Sequence, residues 1–230
     1  MSVSYVVQGS EVRLIRDRYV YPPSRVSLLM ATHVMVKEGD DVLDIGTGTG
    51  FLALTASMLG ARRVLGTDIS PRALRVARAN AQLNRMRNVE LILGDVCQPI
   101  RGKSFDLIVC NPPMTPSPMR VKVSTWGGYD GRSVLDEVLR GAPAHLALGG
   151  RLVIPTISVC GIQETASAFE ALGLRYRILC EETYEFSFLM TKLLLHISSL
   201  PHSEVIYKKG RPHYSVSVFE ARKEAATKTR

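Results

Sequence analysis

Tryptophan occurs once in the 230 residues, and aromatic side chains together make up only 7%. The four cysteines, Cys97, Cys110, Cys160 and Cys180, stand apart, with no Cys-x-x-Cys pair and no histidine at ligand spacing. That pattern excludes a zinc ribbon and a disulfide framework, predicts no metal, and reads as the reduced thiols of a cytoplasmic protein. No apolar run reaches the ~18 to 20 residues a bilayer requires, since even Ser27 to Met35 is broken by Ser, Thr and His, so no membrane partner is expected. Residues Met1 to Glu11 lack the basic-then-apolar order of a secretion signal, and no internal repeat is present. Acidic residues are also in deficit: 21 face 29 basic ones, a net +8, and Arg outnumbers Lys 21 to 8. An arginine excess suits bidentate contacts to phosphate or carboxylate on a macromolecular partner. Equally, it keeps a soluble domain dispersed by self-repulsion.

Hydrophobic residues at 46% and charged residues at 22% are enough for a sizeable core, and the length fits one large domain. Ser4 to Gln8 and Glu11 to Ile15 flank Gly9-Ser10 and predict an opening hairpin. Pro22-Pro23-Ser24 starts a helix to about Val36, closing an N-terminal unit, 1–36. The main domain, 37–222, then alternates. Strands are predicted at Asp41 to Ile45, Arg63 to Thr67, Val89 to Leu93, Phe105 to Cys110 and Arg151 to Thr156. Helices are predicted at Gly50 to Leu59, Pro71 to Asn84 and Arg132 to Leu146. Their alternation predicts an α/β fold, a mostly parallel sheet with helices on both faces. A helix (Gln163 to Leu172), a strand (Arg175 to Cys180), a helical apolar stretch (Phe186 to Ile197) and a hairpin with a basic tip (Glu204 to Tyr207, Tyr214 to Ala221) follow. Lys223 to Arg230 forms a short basic tail.

The segment Asp44-Ile45-Gly46-Thr47-Gly48-Thr49-Gly50-Phe51 stands at the end of the first long strand and opens a helix. Glycines there let backbone turn tightly and approach a ligand, and the helix start offers unpaired N–H groups. Phe51 occupies the place where a dinucleotide-binding Gly-x-Gly-x-x-Gly would need its third glycine, which argues against a nicotinamide cofactor. Asp68 ends the next strand, where a carboxylate can accept both ribose hydroxyls of a nucleoside; the alternative is a helix-capping acid, because Asp68-Ile69-Ser70-Pro71 precedes a helix. Asn111-Pro112-Pro113-Met114 follows the fourth strand. An Asn side-chain oxygen and the next backbone carbonyl can each accept one N–H of a planar nitrogen, and proline removes a competing backbone donor.

Asp-x-Gly-x-Gly-x-Gly resembles motif I of the class I S-adenosylmethionine (SAM) methyltransferases, and Asn111-Pro112-Pro113 resembles their Asn-Pro-Pro-aromatic motif. Over about residues 19 to 156 the chain is similar to the HemK/PrmC release-factor glutamine methyltransferases and their "methyltransferase small domain" relatives. Gly127-Gly128-Tyr129-Asp130-Gly131 matches a Gly-Gly-x-Asp-Gly stretch of that family, and Val20-Tyr21-Pro22-Pro23 its cofactor-lid segment. Met114 stands where the family has Tyr or Phe, and Arg25-Val26 replace an acidic pair. The resemblance implies a Rossmann-like seven-stranded sheet with an antiparallel last strand. It implies SAM as cofactor, held by Tyr21, Ser27, Asp44, Gly46, Thr47, Gly48, Gly50, Asp68, Ile69, Asp95, Val96 and Asn111, with Asp95 and Val96 at the adenine. Asn111, Pro112, Pro113 and Met114 would form the catalytic turn.

The acceptor it implies is a protein glutamine, with an exocyclic amine of rRNA, tRNA or DNA as the alternative. A non-catalytic RNA-binding subunit is the reading from another class. Trp126 and Tyr129 either stack on the acceptor in place of the missing aromatic or anchor their loop. Arg120, Lys208, Lys209 and Arg211, the candidate substrate contacts, with Arg13, Arg16, Arg18 and Lys122, either track a phosphate backbone or are solvated charge. The short forms of the family include some that work with a small activator subunit.

Overall fold

The computed structural model describes residues 2–224; the rest of the expected basic tail, 225–230, lies outside the described residues. Strands β1 (Ser2–Val7) and β2 (Ser10–Ile15) form the opening hairpin, with Ser2 opposite Ile15 and Val7 opposite Ser10. Helix α1 (Arg25–His33) is shorter than expected at both ends. The two prolines precede the cap: Ser24 and Ser27 form a reciprocal capping box. At the other end Val34 turns extended, and Gln8 Nε2 donates to the carbonyls of Ala31 and Val34, satisfying the frayed turn from the hairpin.

The alternating region follows as β3 (Asp41–Ile45), α2 (Phe51–Met58), β4 (Arg63–Asp68), α3 (Pro71–Leu83), β5 (Val89–Leu93), β6 (Phe105–Cys110), α4 (Ser133–Gly141) and β7 (Leu146–Ile157). After it come α5 (Ile162–Ala171), β8 (Arg175–Glu185), α6 (Phe188–Lys192), α7 (Leu194–Ser199), β9 (Ile206–Lys208) and β10 (Arg211–Arg222). The helix expected at Arg132 to Leu146 tightens into a 3-10 turn over Ala142–His145, where Pro143 cannot supply an α-helical N–H. The single helix expected across Phe186 to Ile197 is two short ones, broken at Leu193.

The main sheet has the order β5-β4-β3-β6-β7-β10-β8, with β9 paired to β10. It has eight strands rather than the expected seven, because the first arm of the expected basic-tipped hairpin joins the sheet as β9: Lys209 and Gly210 both take positive φ, which lets Lys208 pair with Arg211. Strands β3 to β7 are parallel, and β10 runs antiparallel to both β7 and β8, as expected of the last strand. Side chains alternate between two cores. Val42, Val64, Leu107 and Val218 pack on one face with α1, α2 and the hairpin; Leu43, Ile108, Leu152 and Phe219 pack on the other with α4 and α5. Both faces of the parallel region are therefore covered. Strand order reverses between β3 and β6, and in such sheets the crevice beyond the carboxyl ends of the strands at this switch point receives the ligand. The glycine segment leaves β3 and the Asn-Pro-Pro turn leaves β6, so both enter that crevice.

Candidate active site

Asp44 is 1% exposed, and its Oδ2 accepts from Thr47 Oγ1 at 2.7 Å and from the Ala53 N–H at 3.0 Å. One carboxylate thus pins the glycine loop and the first turn of α2 together. Burial pushes its pKa up to about 7 against these hydrogen bonds. Beyond it the backbone bonds to itself and its neighbour strand: Thr47 N–H donates to Thr67 at 2.8 Å and Gly50 N–H to Thr47 at 2.8 Å. Gly50 is the residue before α2 at φ +84°, and a Cβ there would press on Ala77 Cβ at 3.2 Å. Only glycine permits both that conformation and that closeness.

Asp68 Oδ2 accepts the Gly48 N–H at 2.8 Å, and its Oδ1 accepts the Ser70 N–H at 2.8 Å. The capping role falls to Ser70, whose Oγ takes the Ala73 N–H at 3.2 Å. Each Asp68 oxygen is oriented by one backbone donor and keeps a lone pair for a further one. Ile69 beside it is exposed. After β5, Asp95 is exposed and Val96 is buried at φ +40°, a strained conformation for a β-branched residue and of the kind that gathers at ligand sites.

Asn111, half-buried, donates from Nδ2 to Ser27 Oγ at 2.9 Å and lies 3.5 Å from Ser24 Oγ. The capping box that starts α1 therefore also fixes the Asn111 amide, and among the described residues no protein donor reaches its Oδ1. Pro112 is buried and Pro113 half-buried. Met114 does not face the crevice. It is 7% exposed in the core, and its carbonyl accepts the Cys160 thiol at 3.1 Å. Gly131, from the Gly-Gly-x-Asp-Gly stretch, packs against the same spot at φ +82°, where a Cβ would collide with Cys160 Sγ and meet the Met114 carbonyl at 2.9 Å. Arg132, also buried, donates to the carbonyls of Cys160 and Gly161 and to Asp136, locking that stretch to the turn after β7.

Trp126 anchors its loop, donating from Nε1 to the Ser117 carbonyl at 3.2 Å, with the Arg120 guanidinium 5.5 Å from its ring. Tyr129 is exposed and stacks edge-on with His196 of α7 at 4.6 Å. Tyr21 is exposed, with Lys122 Nζ 5.9 Å from its ring. Lys208, Lys209 and Arg211 sit on the β9–β10 turn, exposed, with Arg211 paired to Glu185 at 3.3 Å. Val216 pairs with Ile157, the last residue of β7, so this turn projects past the same end of the sheet as the crevice.

Asn80 was not singled out by the sequence. It is fully buried; its Nδ2 donates to the Thr49 carbonyl at 2.9 Å and its Oδ1 accepts the Ile15 N–H at 2.7 Å. Four residues on, Asn84 Oδ1 accepts the Arg13 N–H at 2.9 Å and its Nδ2 donates to the Arg13 carbonyl. Helix α3 thus fastens the open edge of β2 and, through Asn80, joins the hairpin to the glycine loop. The available signal was an asparagine inside the apolar stripe of Val76, Ala77 and Ala81.

A ribosomal protein L11 methyltransferase (PrmA) family model matches residues 24–112. A chain of Methanocaldococcus jannaschii that bears the name "putative protein N5-glutamine methyltransferase" is 32% identical over 190 residues, covering 80% of this chain and 94% of that one. This chain belongs to the protein N5-glutamine methyltransferase family. It is an enzyme of the SAM-dependent methyltransferase class. The release factor glutamine methyltransferase of Moorella thermoacetica is 39% identical over 129 residues, covering 51% of this chain and 46% of that protein, so the chain spans less than half of that relative. Among solved structures, the ribosomal protein L11 methylase of Lactobacillus delbrueckii subsp. bulgaricus has the same fold, with a TM-score of 0.51 at 23% identity over 82% of this chain and 74% of that one. The glycine loop and Asp68 fit SAM: bare backbone with positive φ at Gly46, Gly48 and Gly50, and a carboxylate with lone pairs to spare for ribose hydroxyls.

Proposed function

We propose that the enzyme methylates the side-chain amide nitrogen of a glutamine in a protein acceptor. The observation that carries this reading is Asn111, whose amide is clamped by Ser27 at the β3/β6 switch point with Oδ1 left for an incoming N–H. The glutamine assignment draws support from the names of the archaeal and Moorella relatives. Gly46, Thr47, Gly48 and Gly50 would hold the amino-acid end of SAM, Asp68 and Ile69 its ribose, Asp95 and Val96 its adenine, with Tyr21 and Ser27 closing over it.

SAM supplies an electrophilic methyl group on a sulfonium. The chain's own work is positional. Asn111 Oδ1 and the Pro112 carbonyl accept the two N–H bonds of the acceptor amide, which fixes the nitrogen and its direction of approach; such preorganisation replaces translational and rotational freedom that would otherwise raise the barrier. Pro112 and Pro113 bring no backbone N–H into the turn, and their rings fix its φ angles, so the two acceptors stay in place. A general base is not required, because an amide nitrogen becomes strongly acidic once methylated and its proton can pass to water.

The reading also places the enzyme in the cytoplasm, which its four free cysteines suit. Among the described residues no helix is long and apolar enough to cross a membrane. The test is transfer of radiolabelled methyl from SAM into a cell extract divided into nuclease-treated and protease-treated halves, followed by mass spectrometry of labelled peptides. Label lost with protease and found as N5-methylglutamine is the expected result. Label lost with nuclease would overturn it in favour of a nucleobase acceptor. Running purified acceptor with and without added extract tests the activator subunit.

A further inference from the structure

Beside Thr49, on the hairpin side of the glycine loop, lies an open cavity of about 530 Å³, within the ~300 to 1,000 Å³ of ligand clefts. Tyr5, Leu14 and Val20 give it apolar walls, and Arg16, Arg18 and Lys122 bring cationic groups to it. Asp17 is the one acidic residue on its wall, and both its oxygens are already taken by Arg72 at 2.9 to 3.1 Å. Among the described residues no carboxylate lies within ion-pair distance of Arg16, Arg18 or Lys122, whereas Arg62, Arg63, Arg132 and Arg151 elsewhere each have one.

The cavity also has a fixed relation to the acceptor asparagine. Pro22 and Pro23, on its wall, run directly into Ser24 and the capping box that holds Asn111. Lys122 belongs to the loop that continues from the Asn-Pro-Pro turn. Arg18 is held on the ring of Tyr19 at 4.5 Å, and Arg72 lies over the same ring at 4.3 Å, so the strap carrying these cations is stiffened by stacking as well as by the Asp17–Arg72 pair. Single-stranded nucleic acid would need free aromatic faces for its bases, and Tyr19 already carries two guanidinium groups. An apolar-walled hollow with three uncompensated cations instead matches carboxylate side chains next to apolar ones.

We infer that this cavity receives an acidic segment of the acceptor protein, adjacent in sequence to the glutamine that is methylated; the inference rests on the glutamine reading above. Its cations supply selectivity between acceptors, and Asn111 acts on whichever glutamine is delivered.

The test uses the full chain saturated with SAM and three fluorescent twelve-residue peptides. Each carries a central glutamine, flanked by Asp, Glu and Leu in the first, by Ser, Gly and Leu in the second, and by Lys and Leu in the third. The acidic peptide is expected to bind about tenfold more tightly than the neutral one, equivalent to ~1.4 kcal/mol. That preference should fade between low and high salt, as exposed charge pairs are screened. The triple variant Arg16→Glu, Arg18→Glu, Lys122→Glu should invert the order in favour of the lysine peptide, and Arg16→Gln, Arg18→Gln, Lys122→Gln should erase it, each measured at a SAM concentration that saturates the variant. Equal binding of the three peptides, or a preference that survives charge reversal, overturns the inference. So does an oligonucleotide that displaces the acidic peptide at equal charge concentration. Acid-selective binding with no methyl on glutamine by mass spectrometry would instead sink the glutamine reading while leaving the cavity's selectivity in place.

Discussion

Replacing Asn80 by alanine removes two hydrogen bonds from a residue with no solvent exposure, and leaves the Thr49 carbonyl and the Ile15 N–H without their side-chain partner. The orientation of this amide is dictated by chemistry: a carbonyl accepts only from Nδ2, and an N–H donates only to Oδ1. A buried polar group stripped of its partner costs ~1 to 3 kcal/mol, so two of them amount to about 2 to 6 kcal/mol, reduced where water enters. Urea denaturation of Asn80→Ala should therefore show a loss of that size, and amide exchange at Ile15 should accelerate. Asn80→Asp separates the two bonds. It keeps an acceptor for Ile15 but turns a carboxylate oxygen toward the Thr49 carbonyl, so the hairpin bond is spared and the glycine loop is pushed. SAM binding by calorimetry should weaken by about tenfold in Asn80→Asp with Ile15 exchange near the wild-type rate. If Asn80→Ala unfolds within ~0.5 kcal/mol of wild type, or if neither variant changes SAM affinity, the hairpin is an ornament and the proposed coupling fails.

Asn111→Ala should lower kcat by at least ~10²-fold, the order expected when a reacting group loses its positioning, while SAM affinity stays close to wild type; weakened SAM binding with normal turnover would remove Asn111 from the acceptor site. Asp68→Ala should weaken SAM binding about 10- to 100-fold, since a hydrogen bond to a charged group contributes roughly 1.5 to 3 kcal/mol, and a titration with adenosine should show the same loss because the ribose is common to both. For Asp44, burial raises the folded pKa to about 7, above the ~3.9 of an unfolded aspartate. Between those values the native state binds more protons, so this group's contribution to stability falls as pH rises from about 4 to about 7 and is level above that. Asp44→Asn should flatten that part of the stability profile relative to wild type, measured as Tm across a pH series; parallel profiles would show that Asp44 titrates normally.

How far the sequence determines this molecule differs from one element to the next. Asp41–Ile45, Val89–Leu93 and Phe105–Cys110 have the expected ends because each is a short β-type run bounded by turn formers or charge. Strand β8 runs on through Glu181, Glu182 and Glu185, past its expected end at Cys180, because it is the sheet's edge strand and its charges can face water or reach a neighbour, as Glu181 does with Ser217. The glycine loop, Asp68 and Asn111 were legible as motifs, since spacing alone brings them to strand ends. Neither the burial of Met114 nor the clamp at Asn80 could be read that way. Both depend on partners far along the chain: Cys160 for the first, Ile15 and Thr49 for the second.

The position of β10 bears on how the chain reaches this state at all. Residues 211–222 insert between β7 and β8, so the two strands that flank them have no contact across the gap until the last part of the chain arrives. Synthesis from the N-terminus therefore leaves a half-sheet with the β7 edge open and β8 detached, and the barrier to folding includes closing loops of dozens of residues. Such an intermediate exposes apolar strand edges to other chains. A premature stop before Arg211 would consequently yield an aggregation-prone species in place of a slightly shortened enzyme, although the cofactor loop and the acceptor turn lie upstream of the break.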